Sequence, residues 1–180
     1  MKSNDMEKYF TILKQQRGVF YQDWNFNQAW ERPLSDKWSI GETLYHLLLM
    51  VRLFRRFSTF YIPIMIPLGY LRKKRPYKTK SNNIYEEYKQ NKNRPMNAPP
   101  LIIPPSGLAK KWNISEIMWQ LDYETERLQS FINSIDQDVA GQIYYPDPIA
   151  HYPNLIQSIH LLAVHEQHHF QLTKKYYLDA

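Results

Sequence analysis

The C-terminal segment repeats its apolar residues with the period of an α-helix, and two histidines occupy positions within that repeat. A helix from about Asn154 to Tyr177 would place on one broad face Leu155, Ile159, Leu162, His165, His169, Leu172 and Tyr176. Because residues four apart lie over the same turn of a helix, His165 and His169 can bind one metal ion together. The segment therefore predicts a helix that carries part of a metal site.

Three earlier segments also predict helices. The first covers residues near 5 to 30, and the second begins at a capping box, with Ser39 as N-cap and Glu42 three residues on, and runs to about Thr59. The third starts after a similar cap at Asn113. No segment alternates apolar and polar residues as a half-buried strand does. The pattern predicts an all-α protein built as a four-helix bundle, in which cofactor sites lie between facing helices.

The connection between the second and third helices is long and rich in proline. Eight of the twelve prolines fall between Tyr61 and Lys111, and this density predicts a break in any helix there. A short helix over residues 83 to 91 is compatible with the pattern. The apolar run over residues 99 to 105 is expected to pack across the body of the domain.

Composition limits the class of protein. The chain has no cysteine, so a metal site must use His, Asp, Glu or water. Its 180 residues predict a single domain over residues 1 to 180. The apolar segment Phe60 to Leu71 is too short to span a bilayer, and no signal-type run follows the N-terminus, so a cytoplasmic protein is expected. The net charge of +6 is concentrated in residues 72 to 80, which we interpret as a solvated loop rather than a nucleic-acid interface, since no nucleic-acid-binding pattern accompanies it.

His46 is the natural third ligand, because it lies on the apolar face of the second helix. Three imidazoles suit zinc, nickel, iron or copper, and three protein ligands leave positions open for water or a substrate, as in catalytic sites. His168 could replace His169 as a ligand, although the four-residue spacing favours His169. His160 is expected to point elsewhere and His151 lies in a loop.

Two glutamates are candidates for catalytic roles. Glu166 belongs to a literal H-E-x-x-H pattern, which in metalloproteases supplies a general base, but too few residues follow for a third downstream ligand. Glu124 falls at a core position of the third helix, where it lies either at the rim or facing the histidines. Arg52, Arg55 and Arg56 are either surface arginines or contacts for an anionic cofactor.

Two short segments resemble motifs of the DinB/YfiT-like superfamily. The sequence from Lys37 to Leu47, with its Trp-Ser opening before a histidine, is similar to the start of that superfamily's second helix. The sequence from His165 to Leu172 is similar to its closing H-x-x-H-H-x-x-Q motif. The resemblance implies a four-helix bundle of the up-down-down-up type with a divalent metal on His46, His165 and His169. It also implies a low-molecular-weight thiol as a co-substrate and a homodimer.

Two hypotheses for function follow. The first is a metal-dependent enzyme, with zinc or nickel as the expected metal, that acts on a small-molecule substrate as a thiol-dependent S-transferase or as a hydrolase. The alternative is a non-catalytic binding or stress-response module that the metal braces.

Overall fold

The computed structural model describes residues 4–92 and 98–178, and its regular elements there are all helical. Six α-helices follow in chain order: α1 (Asn4–Asp23), α2 (Ile40–Arg72), α3 (Ile84–Lys92), α4 (Ile114–Ile132), α5 (Gln137–Ala140) and α6 (Leu155–Leu178). Three short 3-10 turns lie between them, and the described residues contain one isolated β-bridge, between Tyr144 and Asn154, but no strand. The all-α fold class is confirmed.

The predicted helix starts are confirmed in atomic detail. The Ser39 hydroxyl accepts a hydrogen bond from the Glu42 backbone nitrogen at 3.2 Å, and the Glu42 carboxylate accepts one from the Ser39 nitrogen at 2.8 Å. The Asn113 side chain accepts from the Ser115 nitrogen at 2.9 Å, so α4 begins where its cap predicts. These caps fix the starting points of two of the four long helices.

The predicted end of the second helix near Thr59 is wrong, because α2 continues through Pro63 and Pro67 to Arg72. Both prolines are exposed, so the carbonyl groups left without an N–H partner lie on the solvent side of the helix. The opposite side is anchored, since Ile62 is buried and a Cβ on Gly69 would lie 2.9 Å from a Val139 methyl carbon. Packing on the inner side therefore outweighs the local cost of the two prolines.

The first helix is shorter than predicted, because it ends at Asp23 rather than near residue 30. The Asn25 side chain accepts a hydrogen bond from the Asn27 nitrogen at 3.1 Å and starts a 3-10 turn. A short side chain that bonds to its own backbone in this way competes with the helix.

The connection between α2 and α4 starts at Lys73 and contains the predicted short helix as α3. Residues 93–97 of this connection lie outside the described part of the chain. The run over residues 99 to 105 packs on the body through Ile102, which is only 3% exposed, while Leu101 stays exposed. The expected packing of this run is thus confirmed at Ile102.

The most extensive helix contacts join α2 with α4 and α1 with α6. At one end of the core the rings of Phe20 and Phe170 stack with centroids 4.1 Å apart, beside the fully buried Leu44 and Leu121. This packing brings α6 alongside α2. The up-down-down-up order of the four long helices and the assignment of residues 1 to 180 to one domain stay predictions.

The substitution Gly69→Ala tests whether the proline-containing half of α2 is a packed helix. The added methyl would press on Val139, so we expect the free energy of unfolding to fall by about 1–3 kcal/mol in urea titrations. The matched control is Gly18→Ala in α1, where a Cβ meets nothing within 4 Å and a gain of about 0.4–1 kcal/mol is expected. Stabilisation by both substitutions would contradict the packing of α2 on Val139.

Candidate metal centre

Three histidines from two helices meet between α2 and α6. His46 lies in the second turn of α2, and His165 and His169 lie one turn apart in α6. Each offers one ring nitrogen, and these atoms all lie within 4.8 Å of one another. The Nε2 atoms of His46 and His165 are 3.0 Å apart, and the ring centroid of His169 lies 4.6 Å from that of each of the other two. The structure thus brings together the three residues that the sequence predicts as ligands.

A backbone carbonyl fixes the orientation of His46. Its Nδ1 lies 2.7 Å from the carbonyl oxygen of Ile102, in the run that packs across the body. A carbonyl only accepts, so Nδ1 carries the proton and donates it, which leaves a lone pair on Nε2. The Trp38 ring, with its centroid 4.9 Å from that of His46, covers another side of the imidazole. Ile102 and Trp38 therefore aim the free nitrogen of His46 at α6.

A tyrosine from the connection holds His165. The hydroxyl of Tyr85 in α3 hydrogen-bonds to Nδ1 of His165, so Nε2 of His165 turns toward His46. The Tyr85 ring also stacks on His168 with centroids 4.1 Å apart and planes inclined by 13°. His168 thus supports the tyrosine, whereas His169 takes the position of the third ligand.

Loss of solvation favours the neutral form of the three imidazoles. His46 and His165 are 1% and 8% exposed, and desolvation lowers the pKa of His46 below its usual value. Desolvation also puts the pKa values of His165 and His169 well below the usual range, and the neighbouring imidazoles lower them further. A metal binds the neutral form of imidazole, so the environment favours the form that can act as a ligand.

The donor set fits a divalent metal. Metal–nitrogen bonds of about 2.0–2.1 Å at a tetrahedral angle would separate two ligand nitrogens by about 3.3 Å. The distance of 3.0 Å between the Nε2 atoms of His46 and His165 is close to that value. Each of these two rings also has a hydrogen-bond partner on its other nitrogen, the support that metal-binding imidazoles usually have. The three histidines could therefore hold a metal ion.

The structure places Glu166 against α1 rather than beside the three imidazoles. Its carboxylate accepts hydrogen bonds from Arg17 Nε at 2.8 Å and from Arg17 Nη2 at 2.7 Å. Both residues are 1% exposed, and Arg17 also donates to Thr125 at 2.8 Å and to Asp122 at 3.1 Å in α4. Burial raises the pKa of Glu166, and the guanidinium acts against that rise.

Glu124 is buried and held by two arginines of α2. It is 5% exposed, and its carboxylate accepts hydrogen bonds from Arg52 at 3.0 Å and from Arg55. Burial alone would raise its pKa, but Arg55 and Arg52 together bring the pKa below its usual value. Two of the three arginines considered for an anionic cofactor are thus paired with Glu124, and Arg56 is exposed. Neither observation tests a catalytic role for Glu124 or Glu166, and those roles stay predictions.

The two remaining histidines lie apart from the centre, as expected. His160 Nδ1 accepts a hydrogen bond from the Ser81 nitrogen at 3.1 Å, and its ring packs on Tyr9. His151 is exposed in the loop before α6 and lies 2.9 Å from a carboxylate oxygen of Glu87.

Sequence reasoning missed Tyr85, the Ile102 carbonyl and Arg17. Nothing in the local pattern around Tyr85 or Ile102 distinguishes them, because their roles arise from the path of the connection between α2 and α4. Arg17 did carry a signal, since it lies four residues after Leu13 and three before Phe20 in the apolar face of α1. A charge at such a position requires a partner, and Glu166 supplies it.

The fold and the site define an all-helical protein with three histidines gathered between two helices. Comparison with known families gives one result: the model of the DinB superfamily matches residues 22–172. The chain belongs to the DinB superfamily. Neither the search of curated proteins nor that of solved structures returned a match. Among the described residues, no helix has the length and apolar character needed to cross a membrane.

Substitution of each of the three histidines tests the metal centre. His46→Ala, His165→Ala and His169→Ala should each weaken zinc binding by more than about 100-fold in titration calorimetry, a larger loss than the roughly 10–100-fold typical of residues that only support a ligand. The control is His151→Ala, which removes an exposed imidazole that contacts Glu87 rather than the three histidines and should leave the affinity unchanged. Unaltered zinc affinity in His46→Ala would show that α2 does not contribute to the site.

The variant Tyr85→Phe removes only the hydroxyl that orients His165. Its ring can still stack on His168, so we expect an intact fold and about 10–100-fold weaker zinc binding. Tyr152→Phe, which changes an exposed tyrosine in the loop before α6, is the control and should have no effect. An affinity equal to wild type in Tyr85→Phe would mean that the hydroxyl does not support the ligand.

Proposed function

We propose that the chain is a divalent-metal-dependent enzyme that joins a small-molecule electrophile to a thiol or to water. The observation that carries the proposal is the convergence of three imidazoles from α2 and α6, with Tyr85 and Trp38 around them. Membership of the DinB superfamily is consistent with it. A metal bound by these residues would act as a Lewis acid and favour the deprotonated, nucleophilic form of a thiol or a water molecule.

Zinc or nickel is the proposed metal. Neutral imidazole is a borderline donor that suits both ions, and the chain has no thiolate to favour a softer one. The three histidines would hold the zinc ion and would leave room on it for a reactant. A low-molecular-weight thiol is the proposed co-substrate for the transferase, and water for the hydrolase.

The residues around the imidazoles orient the three histidines and shield them from solvent, which is what the protein itself contributes to the proposed reaction. Tyr85 and the Ile102 carbonyl set which nitrogen of His165 and His46 is free, and Trp38 covers the rings of His46 and His169. Aromatic walls of this kind exclude bulk water and strengthen electrostatic interactions at the site. For Glu166 we propose a positioning role through Arg17, in addition to the general-base role predicted from the H-E-x-x-H pattern.

A second candidate is a non-catalytic module that the metal braces. The burial of His46 and His165 favours it, because a buried ion that joins α2 to α6 would stabilise the bundle. The two candidates differ in the effect of chelation. Removal of a metal that braces the fold would lower the melting temperature strongly, whereas removal of a catalytic metal would leave a folded protein without activity.

The proposal is tested by reconstituting the full chain with zinc or nickel. Each form is assayed for conjugation of several low-molecular-weight thiols to a chromogenic aryl halide, and for hydrolysis of an activated ester. We expect one of the two reactions to require the metal, to stop on chelation and to return on readdition, with only a small change in melting temperature. His46→Ala should be inactive and His151→Ala as active as wild type.

Glu166→Gln separates the two roles of that glutamate. A general base at Glu166 would make this variant inactive while its metal content stays normal, although the broken ion pair with Arg17 lowers its stability. A positioning role through Arg17 would lower the melting temperature and the metal affinity together, because a buried charge pair is broken. If neither reaction depends on the metal and chelation lowers the melting temperature strongly, the enzyme proposal is wrong. The non-catalytic module that the metal stabilises is then the better account of the protein.

A further inference from the structure

The outer face of α2 carries an apolar stripe that no described part of the chain covers. It consists of six exposed residues at alternating spacings of four and three: Leu53, Phe57, Phe60, Ile64, Pro67 and Leu71. Phe60, Ile64 and Leu71 are exposed by 76%, 73% and 84%. The exposed parts of the stripe amount to on the order of 500 Å², toward the upper end of what a monomer leaves in contact with water. We refer to these six residues as the α2 stripe.

The α2 stripe lies opposite the side of the helix that packs on the core. Ser58, Ile62 and Gly69 are buried, and at about 100° per residue they point nearly the opposite way from the stripe. From Phe57 to Leu71 the helix contains no charged residue. One side of α2 therefore belongs to the core, and the other presents apolar side chains to the surroundings of the protein.

A run of basic residues follows the stripe directly. Residues 72 to 75 have the sequence Arg-Lys-Lys-Arg, and all of them are exposed except Arg72, which is half-buried. Between Glu42 and Glu86 the chain has nine arginine and lysine residues and no aspartate or glutamate. The segment that carries the apolar stripe is thus also the segment that carries concentrated positive charge. We refer to residues 72 to 75 as the basic run.

Two carboxylates from the other side of the fold lie beside the basic run. An open cavity of about 590 Å³ at the end of α2 is lined by three cations, Lys73, Lys74 and Arg75, and by Asp136 and Asp138. The Tyr77 hydroxyl donates to Asp138 at 2.8 Å, and Asp136 accepts from the Asp138 nitrogen at 3.0 Å, so both carboxylates have partners within the protein. A phosphate at this end of the helix would therefore meet an excess of positive charge.

We propose that the α2 stripe and the basic run bind the surface of an anionic phospholipid membrane. The helix would lie along the membrane, with the stripe at the boundary of headgroups and acyl chains and the basic side chains among the phosphates. Apolar area and attraction to anionic lipids together determine how tightly an interfacial helix binds. The proposal rests on this face of α2 alone and is independent of the metal centre and of the proposed reaction.

The flanks of the stripe suit a shallow insertion. Tyr70 is 55% exposed beside the stripe, with the Lys73 amine 5.8 Å from the centre of its ring. Tyrosine is enriched at the level of the headgroups, because its ring is apolar and its hydroxyl is polar. Pro63 and Pro67 free the carbonyls of Thr59 and Pro63, which lie to the side of the stripe, where water and headgroups can bond them. The face fits the membrane interface rather than the bilayer interior.

Two other partners fit these observations less well. A nucleic acid would use the basic run but would leave the apolar stripe uncovered, because its backbone is polar and charged. A second copy of the chain packed through the same face would cover the stripe but would add more positive charge to that of the basic run. An anionic lipid surface covers the stripe and neutralises the charge at once.

The test is co-sedimentation of the full-length protein with phospholipid vesicles. Wild type should bind vesicles of equimolar phosphatidylcholine and phosphatidylglycerol at least about 10-fold more tightly than vesicles of phosphatidylcholine alone. Raising the salt concentration should reduce this difference, because salt screens the attraction to the lipid charges. His46→Ala should bind both kinds of vesicle like wild type, since the metal centre takes no part.

A charge in the centre of the stripe tests the apolar contribution. Ile64→Glu should weaken binding to the mixed vesicles at least about 10-fold, because a buried isoleucine side chain is lost and a carboxylate is added. Val19→Glu is the control, since it adds the same charge at an exposed apolar position of α1 and should bind nearly as tightly as wild type.

The double variant Lys73→Gln/Lys74→Gln tests the electrostatic contribution. It should bind the mixed vesicles about 10–30-fold more weakly, since each lysine near the surface adds to the attraction. The matched control is Lys110→Gln/Lys111→Gln, which removes the same charge from two exposed lysines next to Trp112, whose ring contacts Tyr45 near the beginning of α2. This control should bind nearly as tightly as wild type.

A fluorescent label gives a second measurement that does not depend on the charged variants folding. The chain has no cysteine, so Ile64→Cys and Val19→Cys each accept a single environment-sensitive dye. Mixed vesicles should shift the emission of the dye at residue 64 to the blue and leave that of the dye at residue 19 unchanged. Three results would overturn the proposal: equal or absent binding to the two kinds of vesicle, binding that neither Ile64→Glu nor the Lys73/Lys74 variant weakens, or a dye at residue 64 that is already blue-shifted without vesicles because a second copy covers the stripe.

Discussion

The buried ion pair of Arg17 with Glu166 determines how α6 faces the rest of the bundle. Glu166 directly follows His165, and successive residues of a helix point about 100° apart. With its carboxylate fixed to α1 by bonds of 2.7 and 2.8 Å, α6 has one rotational setting, and in that setting His165 and His169 face α2. Loss of one partner would leave an uncompensated buried charge at a cost of about 3–5 kcal/mol, a large part of the 5–15 kcal/mol that stabilises a typical domain.

The same arginine joins three helices rather than two. Its Nη1 donates to Thr125 at 2.8 Å and to the carbonyl of Leu121 at 3.3 Å, both in α4. The neighbouring residue Glu124, also in α4, is held by Arg52 and Arg55 of α2. The two charge networks thus connect α6 to α1, α1 to α4 and α4 to α2. The imidazoles of α2 and α6 meet between the first and the last of these connected helices.

Sequence was most informative where a local interaction decides the structure. The capping box at Ser39 and the N-cap at Asn113 predicted helix starts, because the cap bonds form within a few residues. The period of α6 predicted which of His168 and His169 joins His165, because helix geometry alone fixes that choice. Pro63 and Pro67 misled the prediction for α2, since the packing of Gly69 on Val139, more than sixty residues away, outweighs a local penalty. Tyr85 and Ile102 could not be predicted, because their contacts depend on a long connection whose path has no local signal.

The proton positions around His165 explain why a tyrosine suits this contact. His46 donates its Nδ1 proton to Ile102, so its Nε2 only accepts. The contact of 3.0 Å between the two Nε2 atoms therefore requires a proton on Nε2 of His165, and Nδ1 of His165 then accepts from the Tyr85 hydroxyl. If Nε2 of His165 instead binds a metal, the proton moves to Nδ1 and Tyr85 becomes the acceptor. A hydroxyl serves both states by rotation about one bond, whereas an ionised carboxylate or a carbonyl could only accept. Tyr85 can thus support His165 before and after metal binding without any movement of the backbone of α3.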